Sequence, residues 1–198
     1  MTIKKNYHKI NEQFDERLTY MTDKHNKVTF VRFDVRFPED YPHDGKNEDI
    51  SDLLKRVKEP LTRHGNEMQY VWCREQNTSE NPHYHVAMLV NGSHTQHAGG
   101  ILSDVSDIWK EITASPKNGL IDYCTNFQGQ KVQPQIRIHR PSSKKEGEEL
   151  ALQQQKFETQ MEEARHRAHY LGKDEQKGNV PKGVREYGAS ELPKARKR

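Results

Sequence analysis

Two histidines separated by one residue stand in the apolar segment "NPHYHVAML", residues 81–89. Alternate side chains of a strand point to the same face, so His83 and His85 would lie about 7 Å apart on one face of a sheet. Two imidazoles in this arrangement either bind a metal ion or belong to a solvated polar face. The other side chains that reach the same face decide between these two interpretations.

The segment before the histidines adds a carboxylate. "EMQYVWCRE" (67–75) predicts a strand, and the polar turn "QNTSENP" joins it to the strand "HYHVAMLV" (83–90). If the two strands pair with Glu75 opposite His83, then Cys73 lies opposite His85, and Glu75 shares the face of both histidines. One carboxylate and two imidazoles suit magnesium, manganese or zinc and leave positions open for water or substrate. A register shift of one residue would remove Glu75 from this site.

A tyrosine in "HYLGKD" is the second candidate for chemistry. Tyr170 and Lys173 are three residues apart and are therefore neighbours on a helix. A nearby cation, either a metal ion or Lys173, would favour the phenolate and make Tyr170 a nucleophile. The alternative is an ordinary interfacial tyrosine beside a surface lysine.

Three arginines are candidates for contacts with phosphate groups. Arg32 and Arg36 share the polar face of the segment "KVTFVRFDVRFPED", and Arg185 lies in "PKGVREYGAS". A second histidine pair, His94 and His97, has metal-like spacing, but its Gly-rich loop favours solvent-exposed side chains.

Hydrophobic periodicity predicts the elements that must position these residues. "KVTFVRFDVRFPED" alternates as a half-buried strand that ends at Pro38. Apolar spacing predicts helices over 6–20, 47–65, 103–113 and 146–171, and weaker strand patterns occur in "GLIDYCTNF" and "VQPQIRIHR". Strands and helices interleave, and the second and third strands form a hairpin. The predicted fold is therefore α+β with a mainly antiparallel sheet.

Length and composition predict one domain, residues 25–190, with an N-terminal helical arm (1–24) and a basic C-terminal tail (191–198). The hydrophobic residues make up 31% of the 198 and the mean hydropathy is −1.13, which indicates a modest core. Residues 129–198 hold 16 Lys and Arg against 10 Asp and Glu, so the net charge of +3 is unevenly distributed. This basic third favours a polyanionic partner or a solvated surface.

Two cysteines, Cys73 and Cys124, are too few for a disulfide framework or a cysteine-based zinc site. The N-terminal segment has no apolar signal-peptide core, and no run of residues approaches the length of a membrane span. The sequence thus predicts a cytosolic protein without a membrane partner.

Together these segments resemble the HUH endonuclease superfamily, which is named for its His–hydrophobe–His motif. "PHYH" matches that motif with Tyr84 in the hydrophobic slot, Glu75 stands eight residues before the first histidine, and "YLGK" looks like the YxxK motif. "VRFDVRFP", "VWCREQ…PHYHVAMLVNG" and "HYLGK…PKGVREYGAS" are similar to single-tyrosine replication endonucleases of filamentous phages and prophages. The resemblance covers roughly residues 25–190.

The resemblance implies a palm-like antiparallel sheet with helices packed on one face. It also implies that Glu75, His83 and His85 hold a divalent cation, magnesium or manganese, while Tyr170 attacks single-stranded DNA and Lys173 assists. The implied function is site-specific nicking and rejoining at a replication origin, which starts rolling-circle replication in the bacterial host cytoplasm. No GxxxxGK[ST] motif occurs, so a host helicase would unwind the DNA. The alternatives are a relaxase or transposase with the same chemistry, or a non-catalytic nucleic-acid-binding module.

Overall fold

A computed structural model describes residues 3–76, 79–123, 135–172 and 180–193. Within these ranges the chain forms four helices: α1 (Ile3–Lys24), α2 (Glu48–Arg63), α3 (Ala98–Ile112) and α4 (Gly147–His169). The same ranges contain six strands: β1 (Lys27–Arg36), β2 (Met68–Glu75), β3 (His83–Asn91), β4 (Ile121–Tyr123), β5 (Gln135–His139) and β6 (Tyr187–Ala189). A 3-10 turn, Tyr170–Gly172, follows α4 directly.

The strands form one open sheet in the order β4-β1-β3-β2-β6, with β5 also paired to β1. Every pairing is antiparallel. Strand β1 is long enough to pair with β5 through its first half and with β4 through its second half. The predicted α+β class and antiparallel sheet are therefore confirmed, and β3 occupies the centre between β1 and β2.

Helices cover both faces of the sheet, which differs from the expectation of helices on one face. Helices α2 and α3 pack on the face that we name the apolar face, which is built from Val31, Phe33, Val35, Trp72, Tyr84, Val86, Met88 and Val90. Helices α1 and α4 pack on the opposite face, which we name the mixed face, and its apolar part consists of Val28, Phe30, Val71, Cys73, Ala87, Leu89, Ile136 and Ile138. Strand β1 carries apolar side chains on both faces, with Val28 and Phe30 on the mixed face and Val31, Phe33 and Val35 on the apolar face. Both faces of the strand are therefore buried under helices.

Each helix contributes a narrow apolar stripe to this arrangement. Helix α2 buries Ile50, Leu53, Leu54 and Val57, which follow the spacing of one helical face. Helix α1 buries Ile10, Phe14, Leu18 and Met21 against the mixed face, so the predicted N-terminal arm is part of the core. Helix α3 begins at Ala98, five residues before the predicted start, because Ala98, Ile101 and Leu102 extend its buried stripe through Gly99 and Gly100.

Strand β6 was not predicted, since it is short and lies in a polar segment rich in Gly and Pro. It pairs with β2, and Cys73 lies opposite Tyr187. A side chain at Gly188 would place its Cβ 2.6 Å from the Trp72 ring, so glycine lets the indole lie against the strand. This pairing brings residues 185–190 to the edge of the sheet beside β2.

The turn after α4 is fixed over the mixed face by contacts with α1 and β2. Asp15 Oδ1 lies 3.4 Å from Arg165 Nε and 3.3 Å from His169 Nε2. The buried Cys73 Sγ donates to the Leu171 carbonyl oxygen at 3.1 Å. These contacts hold Tyr170 at the surface that faces β1, β2 and β3. Among the described residues, no helix is both long enough and apolar enough to cross a membrane.

Candidate metal centre

The hairpin of β2 and β3 has the predicted register. Glu75 lies opposite His83, and Cys73 lies opposite His85. On the other side of β3, Asp34 of β1 is the partner of His85, and Arg36 is the partner of His83. Directly opposed residues share a face, so three adjacent strands project a polar cluster from the end of the mixed face.

The side chains of Glu75, His83 and His85 converge on one point. Glu75 Oε2 lies 3.0 Å from His83 Nε2 and 2.9 Å from His85 Nε2. One ligand atom from each residue falls within 4.8 Å of the other two. Glu75 and His85 are buried, while His83 is half-buried, so the site is open on the His83 side.

Asp34 orients the His85 ring. His85 Nδ1 lies 2.6 Å from Asp34 Oδ1, and an Nδ1–H that donates to this carboxylate leaves a lone pair on Nε2. His85 Nε2 is buried and is not aligned for a hydrogen bond with Glu75 or with any other described residue. A histidine that donates one ring N–H to a carboxylate and presents its other ring nitrogen to a cluster of ligand atoms has the usual arrangement of a metal-binding histidine.

The electrostatics of the cluster favour a positive charge at its centre. Burial raises the pKa of Glu75, but the imidazoles of His83 and His85 beside its carboxylate outweigh burial and hold this pKa well below its usual range. The pKa of Asp34 is likewise lowered, since contact with His85 and Arg32 outweighs burial. Burial lowers the pKa of His85, but Asp34 and Glu75 outweigh it and raise this pKa. Both carboxylates are therefore ionised at neutral pH and attract a proton or a cation.

The donor set fits a divalent metal ion. One carboxylate oxygen and two imidazole nitrogens are ligands for magnesium, manganese or zinc, and three protein ligands leave positions for water or substrate. In the described part of the chain, no other cluster of three or more His, Cys, Asp or Glu residues has comparable geometry. His94 and His97 do not belong to such a cluster.

Tyr170 lies beside this centre. Its ring centroid is 6.1 Å from that of His85, and the two rings are nearly perpendicular at 89°. The guanidinium carbon of Arg32 lies 4.2 Å from the centroid of the Tyr170 ring. Strand β3 and the turn after α4 thus bring together His85 and Tyr170, which are 85 positions apart in the sequence. Strand β1 adds Arg32 to the same place. Lys173 lies outside the described residues.

The three predicted phosphate-contacting arginines occupy different environments. Arg32 is only 8% exposed, and its NH2 lies 3.6 Å from Asp34 Oδ1. The Arg36 side chain is 58% exposed at the rim beside His83, where its NH2 is 3.7 Å from Asp122. Arg185 is exposed just before β6, and its backbone carbonyl accepts a hydrogen bond from Asn47.

Asp34 is the residue at this centre that sequence reasoning missed. The alternation of β1 places Asp34 on the same face as Arg32 and Arg36, so the sequence indicates its face. Its role depends on the pairing of β1 with β3, and the two strands are separated in sequence by α2 and β2. The only signal in the sequence was an acidic residue in the middle of a strand that is otherwise apolar and basic.

The fold and this centre define an α+β domain with a three-residue candidate metal site beside a tyrosine. The family model of the YagK/YfjJ C-terminal domain matches residues 2–190, so the chain belongs to this family, which is associated with prophages. No curated protein and no solved structure matches the chain significantly. Membership agrees with the prophage type of protein that the sequence indicated, and the match includes α1.

Proposed function

We propose that this protein is a metal-dependent endonuclease that nicks and rejoins single-stranded DNA through Tyr170. The observation that carries the proposal is the position of the Tyr170 ring, 6.1 Å from the ring of His85 at the edge of the candidate metal centre. The site combines a tyrosine, a candidate metal site of three residues and a buried arginine. Stability of the core does not require such a combination of polar groups. Carboxylates and a histidine with shifted pKa values beside a nucleophile are typical of a catalytic site.

Glu75, His83 and His85 would hold magnesium or manganese, and this cation would polarise the scissile phosphate. Asp34 keeps His85 in the tautomer that presents Nε2 to the centre. Glu75 is ionised at neutral pH and is positioned between the two imidazoles. These residues are in place before DNA binds, which reduces the reorganisation needed during the reaction.

Tyr170 supplies the nucleophile. Its phenolic oxygen forms a bond to phosphorus, the bond from phosphorus to the 3′ oxygen breaks, the phenol proton passes to solvent, and the released 3′ oxygen takes up a proton. The products are a free 3′-OH and a 5′-phosphotyrosine. Because this ester replaces one phosphodiester bond with another, a 3′-OH can later attack it and rejoin the strand without ATP. Lys173 is proposed to stabilise the charge on the phosphate.

The distribution of charge supports single-stranded DNA as the partner. Arg36 is exposed at the rim beside His83, Arg185 is exposed just before β6, and residues 129–198 carry a net positive charge. Cations at such positions contact the phosphate backbone and release condensed counterions. The proposed setting is a replication origin in the cytoplasm of a bacterial host, where a host helicase would supply the unwinding. A relaxase or transposase would use the same chemistry on another DNA element.

A covalent-adduct assay tests the proposal. Short randomised single strands labelled at the 3′ end are incubated with manganese and the protein, and a denaturing gel then shows whether label migrates with the protein. We expect an adduct with the wild type and none with Tyr170→Phe or with a chelator.

Tyr187→Phe is the matched control, because Tyr187 lies on the same face, opposite Cys73. This variant should form the adduct as the wild type does. An adduct that persists in Tyr170→Phe, or that is lost in Tyr187→Phe alone, would contradict the assignment of the nucleophile.

A further inference from the structure

Arg32 is a buried arginine with an unusual set of contacts. It projects from β1 onto the mixed face and is 8% exposed. Its carboxylate neighbour is Asp34, with NH2 3.6 Å from Oδ1, which is longer than a good hydrogen bond. Arg32 Nε, like Nε of Arg74 on the opposite face, is buried and has no hydrogen-bond partner among the described residues. The closest aromatic contact of the guanidinium is the ring of Tyr170, at 4.2 Å.

Arg74 shows how a structural arginine is held in the same sheet. It is 1% exposed on the opposite face, and its guanidinium donates to acceptors in two neighbouring segments: Gly45 O, Lys46 O, Asn47 Oδ1 and Gln76 Oε1. Such bonds compensate for the loss of water around the charge. Arg32 makes few of them, and its guanidinium carbon lies over the Tyr170 ring, so its environment is not that of an arginine that only stabilises the fold.

One carboxylate oxygen connects Arg32 to the candidate metal centre. Asp34 Oδ1 lies 2.6 Å from His85 Nδ1 and 3.6 Å from Arg32 NH2. The rings of His85 and Tyr170 are themselves nearly perpendicular neighbours. Asp34, His85, Arg32 and Tyr170 thus form a closed circuit of contacts, which spans β1, β3 and the turn after α4.

We propose that Arg32 is a positioning residue for Tyr170 and that Asp34 couples its position to that of His85. A tyrosine in the turn after a helix has several rotamers available, and only one directs its hydroxyl toward a given phosphate. The guanidinium over the ring and the perpendicular His85 ring beside it restrict Tyr170 to the rotamer seen here. The consequence for catalysis rests on the proposed function, whereas the restriction of the ring does not. This role differs from the phosphate contact that the sequence suggested for Arg32.

Fluorine NMR of the metal-free protein labelled with 3-fluorotyrosine measures the restriction directly. The Tyr170 signal is assigned by its loss in Tyr170→Phe. We expect Arg32→Met to move this signal toward the position of an exposed tyrosine and to narrow it, because the ring gains rotamer freedom. An unchanged Tyr170 signal in folded Arg32→Met would overturn the proposal.

Arg36→Met is the matched control, since Arg36 lies on the same strand and the same face but is exposed. It should leave the Tyr170 signal in place and instead weaken binding of the single strands. A shift of the Tyr170 signal in Arg36→Met as large as that in Arg32→Met would also overturn the proposal. Arg32→Lys carries the same test if Arg32→Met does not fold, because lysine keeps the positive charge beside Asp34 and lacks the flat surface.

Single-turnover adduct formation with manganese supplies a second readout. In Arg32→Met the rate should fall by about 100-fold, the size expected when a reacting group is misplaced by roughly 1 Å. Binding of manganese and of the single strands should change little. If the wild type forms no adduct, the proposed function fails while the fluorine signal still decides the role of Arg32. A full rate in Arg32→Met would refute positioning even where the adduct chemistry holds.

Discussion

The two faces of the sheet are both covered by helices, but they bury different chemistry. The apolar face, under α2 and α3, presents apolar and aromatic side chains along β3 and from Val31 to Val35 of β1. The mixed face, under α1 and α4, is apolar only at one end. At its other end it holds Arg32, Asp34, Glu75 and His85 at 15% exposure or less, with His83 at the rim.

This difference separates the residues that stabilise the fold from those that we assign to function. Burial of apolar surface is favourable at roughly 25 cal/mol per Å². Buried charges contribute little or oppose folding unless each is paired, and an apolar replacement is often neutral or stabilising. A cluster of four largely buried charged or titratable groups, with His83 at its rim, therefore indicates a role other than stability.

The largest effect on stability should come from the apolar face. Phe33→Ala removes a fully buried ring between α2, α3 and the sheet, and it should lower the free energy of unfolding by about 3–5 kcal/mol. Chemical denaturation measures this change. Manganese binding by the folded fraction should stay as in the wild type, since Phe33 points away from the centre. A folded Phe33→Ala protein that no longer binds manganese would mean that the two faces are not separable.

Substitutions on the mixed face should instead affect manganese binding. The double variant His83→Ala, His85→Ala should lose the stabilisation that manganese gives the wild type, which is about 2.7 kcal/mol at a free concentration 100 times the dissociation constant. Thermal unfolding with and without manganese measures it. The control His94→Ala, His97→Ala should keep the full stabilisation, because that pair is not part of the cluster. Equal manganese stabilisation in both double variants would place the metal elsewhere.

A smaller effect should follow from Asp34→Asn. The amide keeps the shape of the carboxylate and loses the charge that supports His85 Nδ1–H. Loss of such a partner behind a metal-binding histidine weakens metal affinity by about 10–100-fold. Calorimetric titration with manganese gives the affinity, and an Asp34→Asn affinity equal to that of the wild type would show that Asp34 does not support the ligand.

The smallest expected effect is the dependence of the free energy of unfolding on pH, measured in the presence of a chelator. The raised pKa of His85 contributes stability below its ordinary value of 6.5, and this contribution is lost as pH rises through the raised pKa. The lowered pKa values of Asp34 and Glu75 contribute stability above the ordinary values of 3.8 and 4.5. This contribution is lost as pH falls through the lowered pKa values.

The cluster should therefore stabilise the metal-free protein most between pH 4.5 and 6.5. Manganese should prevent the loss of stability at higher pH, because the bound cation takes the place of the proton on His85. Denaturation at several pH values, with the His83→Ala, His85→Ala variant as reference, measures this. An equal loss above pH 6.5 in that variant would assign the pH dependence to other groups.

The parts of this centre that lie close in sequence could be predicted, and those that depend on strand order could not. The register of Glu75 with His83 was assumed from the sequence for one hairpin, in which alternation restricts the pairing, and the structure has this register. The contact of Asp34 with His85 requires β3 to insert between β1 and β2, which no local pattern specifies. Strand β6 escaped prediction because three residues around Gly188 carry too weak a signal.

Helical periodicity predicted α4, but not the details of its end. The apolar spacing placed Tyr170 within a continuous helix, whereas the helix ends at His169 and Tyr170 begins a 3-10 turn. Contacts from Asp15 and Cys73, both distant in sequence, hold this turn. The contact of the Arg32 guanidinium with the Tyr170 ring likewise depends on how α4 crosses the sheet, which is a property of the packed core.

Peptide mapping of the protein–DNA adduct tests the central claim most directly. Trypsin cleaves after Arg167 and Lys173, so residues 168–173 form a peptide in which Tyr170 is the only tyrosine. After nuclease trimming, mass spectrometry should find the residual nucleotide on this peptide and only in samples that contained a divalent cation. A nucleotide found instead on residues 186–194, which contain Tyr187, or on any other tyrosine would contradict the account.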